Sequence, residues 1–269
     1  MSPIESALRD LRSLDTLAAR DTPLARVDAR AKIATTLAFI VAVVSFDRYT
    51  VAALLPFALY PAVLAARGDV PARWLLRKLA LAAPFAILVG LFNPLLDPAP
   101  VMAVGGTAIA GGWVSFASIL VRFVLTVGAA VVVVAGTGMN TLCAALDRLG
   151  TPRLFTAQLL FLYRYAFVLG GEASRMGTAR MLRGGTSSPT LAVYGSLAGH
   201  LLLRAFDRAE RIHRAMLARG FDGEVRTLRA LDWKAADTRF VAGWCAFFAL
   251  ARAVDLPQLL GRALTGGLA

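Results

Sequence analysis

Hydrocarbon in this chain comes in blocks, and that arrangement limits the possible folds more than any other feature. Residues 33–46, 49–66, 79–96 and 113–135 are nearly continuous apolar runs, and 240–251 is a shorter fifth. A helix needs about 20 such residues to cross a bilayer, whereas a water-soluble helix shows only a stripe. A mean hydropathy of +0.64 and an apolar share of 58% also exceed what a soluble core requires. The expected class is an all-α membrane protein with about five transmembrane helices. The first two runs read as a hairpin turning at Asp47-Arg48, and the last spans only if it extends over 235–254, with Arg252 snorkelling.

Charge then sets the orientation. The formal net charge is +12, and only Lys32, Lys78 and Lys234 are lysines, the other basic residues being arginines. Arg9, Arg12, Arg20, Arg26, Arg30 and Lys32 precede the first run, and the hairpin tip holds Arg48 alone. The loop with Arg67, Arg73, Arg77 and Lys78 is basic, while 97–112 has neither Lys nor Arg and reads as external. This alternation follows the positive-inside rule. It predicts a cytoplasmic N-terminal segment (1–30), four membrane helices (31–136), a cytoplasmic coupling region (137–236), and a last span with an external tail (237–269). No apolar signal region precedes the first span, so insertion falls to the spans themselves. Cys143 and Cys245 stand far apart and suggest neither a disulfide framework nor a redox pair.

Residues 137–236 read as a short leading helix (about 140–149) and two long amphipathic ones. Gly150-Thr151-Pro152 separates the short helix from the first long one. Phe155, Leu159, Leu162, Ala166, Leu169, Ala173 and Met176 give the first long helix its stripe, and Leu202, Ala205, Ala209, Ile212 and Met216 the second. Asp207–Arg211 and Glu210–Arg214 are spaced for ion pairs on the opposite face. Both helices close alike, on Arg180-Met181-Leu182-Arg183-Gly184 and Met216-Leu217-Ala218-Arg219-Gly220. One such end is ordinary capping, since Gly suits C′ and Arg suits the dipole. Two in succession point to a paired docking device, because a guanidinium fork grips carboxylates or carbonyls bidentately. The plainer alternative is a solvated face that also touches anionic lipid.

These residues resemble the transmembrane coupling component of energy-coupling factor transporters, in the CbiQ/NikQ branch. Arg26-Val27-Asp28-Ala29-Arg30-Ala31-Lys32 is similar to that family's Leu-Asp-Pro-Arg-x-Lys, with Ala29 at the proline position. Tyr163-Arg164-Tyr165, Glu172 and Ala179-Arg180-x-x-Arg183-Gly184 resemble the first coupling end. Glu210-Arg211 with Ala215-Met216-Leu217-Ala218-Arg219-Gly220-Phe221 resembles the second.

The resemblance implies a non-catalytic inner-membrane subunit of a cobalt importer, with nickel or a vitamin as alternative substrates. The helices would cross near their ends and dock on two ABC ATPase subunits through Arg180, Arg183, Gly184, Met216, Ala218, Arg219 and Gly220. Arg164, Glu172, Glu210 and Arg211 would support them. Leu182 stands where the first motif has Ala, so both Arg180 and Arg183 remain candidates for its contact. The chain would bind no cofactor. ATP and Mg²⁺ would sit in the ATPases, and Co²⁺ or Ni²⁺ in a CbiM/NikM-like substrate-capturing subunit, with a small CbiN-like subunit and membrane lipid as further partners.

Other chemistries lack their residues. No lysine follows a glycine, as a P-loop requires. His200 and His213 pair with no His or Cys at metal spacing. Asp222-Gly223 with Asp232 and Asp237 faintly resembles the acidic motif of CDP-alcohol phosphotransferases, but Glu224-Val225-Arg226-Thr227 breaks it. A channel would need a polar pore lining. Nucleic-acid binding would need stacking aromatics on the basic face. Arg122 remains as the main charge within a span.

Overall fold

A computed structural model describes residues 3–97, 100–104, 107–183, 190–222 and 232–254. In chain order the helices are α1 (Pro3–Ala18), α2 (Ala29–Val44), a 3₁₀ segment (Ala52–Ala58) running into α3 (Leu59–Arg67), α4 (Ala72–Leu91) and α5 (Asn93–Leu96). A small antiparallel hairpin, β1 (Pro100–Val104) and β2 (Thr107–Ala110), leads into α6 (Gly111–Ala135). Then come α7 (Met139–Arg148), α8 (Arg153–Leu182), α9 (Leu191–Ala218) and α10 (Ala235–Ala253). Apart from that hairpin, the described elements are helical, as the sequence predicts.

Each of the five apolar runs falls on a helix, with corrected ends. The second run starts three residues later than its hydropathy suggests, and does so as a 3₁₀ turn. Pro56 has no N–H for an α-type bond to Ala52. Tyr49 stays outside the helix and donates its hydroxyl to Asp97 Oδ2 at 2.6 Å. The basic loop shrinks to a short turn, because Arg73, Arg77 and Lys78 lie in the first two turns of α4. The external loop becomes the β1–β2 hairpin, with Gly112 pressed against α5. A Cβ on Gly112 would stand 2.5 Å from Asn93 O, so only glycine fits.

Among the described residues, α4, α6 and α8 are long and apolar enough to cross a membrane. At 1.5 Å per residue, the 20 residues of α4 cover about 30 Å, one hydrocarbon thickness. α8 meets the criterion because the first half of its 30 residues carries little charge; Glu172, Arg175 and Arg180 fall in its second half.

The chain divides into two compact units. One comprises Leu17–Gly138 with Leu231–Ala269, the other Met1–Thr16 with Met139–Ala230. In the first, α6 packs against α2, α3 and α4, and α10 packs against α2 and the 3₁₀ segment. Aromatic rings form its core. Phe39, Phe57, Tyr60 and Phe248 lie with centroids 4.7–6.2 Å apart, and Trp244 stacks on Phe248 at 5.9 Å. The buried Tyr60 hydroxyl meets Thr36 Oγ1 at 2.8 Å, which satisfies both polar groups inside the hydrocarbon.

The Arg26–Lys32 segment fastens α2 to α10. Asp28 caps α2 by accepting the Arg30 N–H at 2.8 Å, and it also takes the Arg30 guanidinium at 3.0 Å. Its own N–H donates to Asp237 Oδ1 at 2.8 Å, while Asp237 Oδ2 accepts the Lys234 N–H at 2.8 Å. Lys32, 1% exposed, donates to Leu24 O at 3.2 Å. Two carboxylates and two cations thus close a neutral cluster, and the Arg30 guanidinium lies 5.4 Å from the Trp233 ring centroid. Asp237 is spent on backbone amides and so is not free for the acidic-motif chemistry of a phosphotransferase.

In the second unit α7 packs on α8, and α8 crosses α9. The reading of 1–30 from sequence contains no helix, yet residues 3–18 form α1. The spacing of Ile4, Leu8, Leu11 and Leu14 was the available signal. Leu8 fits over Gly170, where a Cβ would meet Leu8 Cδ2 at 2.7 Å. Asp15 accepts the Tyr163 hydroxyl at 2.7 Å, so α1 braces α8.

Candidate functional site

Helices α8 and α9 meet where the first half of α8 passes the last half of α9. An open groove of 620 Å³ lies between them. Phe161, Tyr165, Val168, Ile212, Met216 and Phe221 supply its apolar lining, and Arg164, Arg208 and Arg219 its charge. Among the described residues no carboxylate lines this groove, and none of its three guanidiniums takes part in an ion pair.

The neighbouring cleft, 210 Å³, shares Val168 and Arg208 with the groove but also carries carboxylates, those of Glu172 and Asp207. Glu172, with its side chain 16% exposed, binds Arg175 at 2.6 Å on its own helix and also Arg204 on α9. That second contact ties the two helices together. Arg214 closes on Glu210 one turn away, as its spacing predicts, whereas the Asp207–Arg211 pair does not form among the described residues. Arg211 lines the smaller cleft beside Asp207 and Arg208.

The end of α9 is held by a Schellman turn. Gly220 takes φ +78°, and its N–H reaches Leu217 O at 3.0 Å while the Phe221 N–H reaches Met216 O at 3.0 Å. Glycine tolerates that left-handed backbone at no steric cost. The turn makes Ala218 the last helical residue and Arg219 the cap. It also puts Arg219, Met216 and Phe221 along one wall of the groove.

The end of α8 is arranged otherwise. Arg180 lies in its last turn with interactions of its own, and Arg183 is the cap, its N–H reaching Ala179 O at 3.3 Å. Gly184 lies outside the described residues. The resemblance implies that the two helices cross near their ends. The structure instead brings Arg164, Met216 and Arg219 together and leaves Arg180 and Arg183 out of both clefts. Glu172–Arg204 fixes the middle of α8 against α9.

Sequence reasoning passed over Phe161 and did not single out Tyr165 or Arg208 as site residues. The signal was available, since 161, 165 and 168 share a face of α8, and Arg208 lies 11 residues (three turns) before Arg219. Among the described residues no three His, Cys, Asp or Glu side chains gather as a metal site.

A family model described as CbiQ, cobalt transport protein, matches residues 20–228. The chain belongs to that family. The match runs from just before the Arg26–Lys32 segment through both long helices and stops before α10. An uncharacterised protein of Methanocaldococcus jannaschii is 33% identical over 98 residues, 36% of this chain and 37% of that one. A protein of Methanocorpusculum labreanum, named as a fused cobalt transport protein CbiMQ, is 33% identical over 89 residues, 32% of this chain and 15% of its own length. The cobalt transport protein CbiQ of Rhodobacter capsulatus is 36% identical over 89 residues, 32% of this chain and 36% of that one. The matched stretches cover at most 37% of the length of these relatives, and 15% of the fused one. Membership of this family and the long apolar helices mark it as a membrane protein.

Proposed function

We propose that this CbiQ-family chain is the coupling component of an energy-coupling factor importer for cobalt. Two ABC ATPase subunits dock on α8 and α9, and their ATP-driven movement is passed to a CbiM-like subunit that captures the metal. In this reading ATP and Mg²⁺ belong to the ATPases, Co²⁺ is cargo held elsewhere, and a small CbiN-like subunit completes the complex. The α8–α9 region and the N-terminus face the cytoplasm of the inner membrane, as the arginine distribution predicts. Nickel is the alternative cargo, because metal choice would rest with the capturing subunit.

The observation that carries the reading is the arginine trio of the α8–α9 groove, which has no ion pair among the described residues and includes Arg219 at the capped end of α9. Guanidiniums left without carboxylates on a built helix end are suited to a partner that supplies them. The fused relative supports the CbiM-like partner, since its name joins the two proteins in one chain.

The test is cobalt uptake in cells carrying the complete transporter, with ATPase retention measured on the purified complex. Arg219→Glu is expected to abolish both, while the amount of chain in the membrane is unchanged. Full uptake by a well-expressed Arg183→Glu/Arg219→Glu double variant overturns the reading.

A further inference from the structure

We propose that Arg164, Arg208 and Arg219 act as one receptor for a carboxylate. The groove between α8 and α9 accepts an acidic side chain, flanked by apolar ones, from the docked ATPase. This rests on the coupling reading above and changes its geometry. Docking through the helix end needs Arg219 alone, whereas a receptor groove also needs one arginine from the middle of α9 and one from α8.

Three observations carry the proposal. First, several arginines of this unit have carboxylate partners and, among the described residues, the groove's arginines do not. Arg175 and Arg204 share Glu172, and Arg214 has Glu210, but the three that line the larger groove have no such partner among the described residues. Like charges gathered around one groove repel each other, and an incoming anion relieves that repulsion. Second, the lining fits a protein partner. Phe161, Tyr165, Met216 and Phe221 beside arginines are the composition of an interface core, which lacks Lys, Asp and Glu. Third, 620 Å³ exceeds the room one carboxylate needs, so the groove also takes the apolar neighbours that desolvate the charge.

Arg208 discriminates among the outcomes, because end-docking alone does not involve it. The complete complex is assembled in membranes with its own ATPase subunits, and ATPase retention is titrated for the native chain, Arg208→Glu, Arg164→Glu and Arg219→Glu. Arg214→Gln serves as the control, and thermal unfolding in detergent checks each fold. The proposal expects all three groove variants to bind at least about tenfold more weakly, with Arg214→Gln close to native. Arg208→Lys should recover part of the loss, because ammonium restores charge but not the bidentate fork. Native binding by Arg208→Glu while Arg219→Glu fails overturns the groove and leaves end-docking standing. Native binding by all the variants overturns both readings. Native ATPase binding, with anionic phospholipid lost from the purified variants by mass spectrometry, assigns the groove to a lipid headgroup and also overturns the proposal.

Discussion

Charge is used in opposite ways in the two units. Where α2 meets α10, Asp28, Arg30, Lys32 and Asp237 are drawn inward, and among them the two carboxylates neutralise the two cations. Between α8 and α9 three guanidiniums line a groove with no carboxylate among the described residues. A closed cluster like the first is a fastening, because removing one member leaves another buried and unpaired. An open one like the second adds little to folding, so its purpose lies in what it binds. The contrast separates substitutions that unfold this protein from those that only disconnect it.

The largest expected effect breaks the closed cluster. Asp237→Ala removes the acceptor of two backbone N–H groups and leaves Arg30 and Lys32 facing a single carboxylate. A loss of about 3 kcal/mol or more follows for a buried partner of this kind. It is read as a lowered thermal midpoint of the detergent-purified chain, and Asp237→Asn, which keeps one acceptor oxygen, should recover part of it. An unchanged midpoint would remove the distinction between the two clusters.

Glu172→Gln comes next, since it touches the ion pair that ties α8 to α9 in the arginine-rich unit. It weakens the tie to Arg204 and leaves two guanidiniums beside a neutral amide. Because both arginines are well exposed, water screens the pair, and the loss of overall stability is small. The informative readout is the spacing between spin labels on α8 and α9. It should broaden without a shift in the midpoint set by the α2–α10 cluster.

Acid offers a milder probe of that same cluster. Burial works to raise the Asp28 carboxyl, but hydrogen bonds from the Arg30 guanidinium and backbone and the charge of Lys32 outweigh it, so its pKa lies below the ordinary 3.8. A carboxyl lowered by folding contributes stability that is whole above its unfolded value and lost as pH falls through its folded one. Stability is therefore expected to be flat above about pH 5 and to fall below about pH 4. Asp28→Asn should flatten that acid limb and lower stability at neutral pH.

Much of this arrangement was legible in the sequence, and what was not had physical causes. The five apolar runs and the stop at Gly220 are local facts, set by hydrocarbon length and by one backbone conformation, and the structure keeps them. The start of α4 was misread because Arg73, Arg77 and Lys78 look like a loop when charge is taken to end a helix. Their long stems let them stay helical beside an apolar run. The groove was half visible. Arg164, Met216 and Arg219 could be named, but which face of α8 meets which face of α9 is a register between distant segments. The Glu172–Arg204 contact sets that register, and no single stripe encodes it. The same holds for Asp237, which belongs with Asp28 across 209 residues of sequence.

The smallest expected effect tests whether the open groove is truly built. Gly220 holds φ +78° with nothing within 4 Å of where a Cβ would stand, so Gly220→Ala costs only conformation, about 1 kcal/mol. That cost falls on the Schellman turn, whose two bonds fix Phe221 beside Met216. The turn should fray, seen as faster hydrogen exchange at Gly220 and Phe221. ATPase affinity should fall by about fivefold as the groove loses one wall, and the thermal midpoint of the chain should hold. Gly220→Asn should lose less, since asparagine tolerates the left-handed region better than alanine. A frayed turn with undiminished ATPase binding would mean that the wall is dispensable and that Arg219 acts as a lone contact.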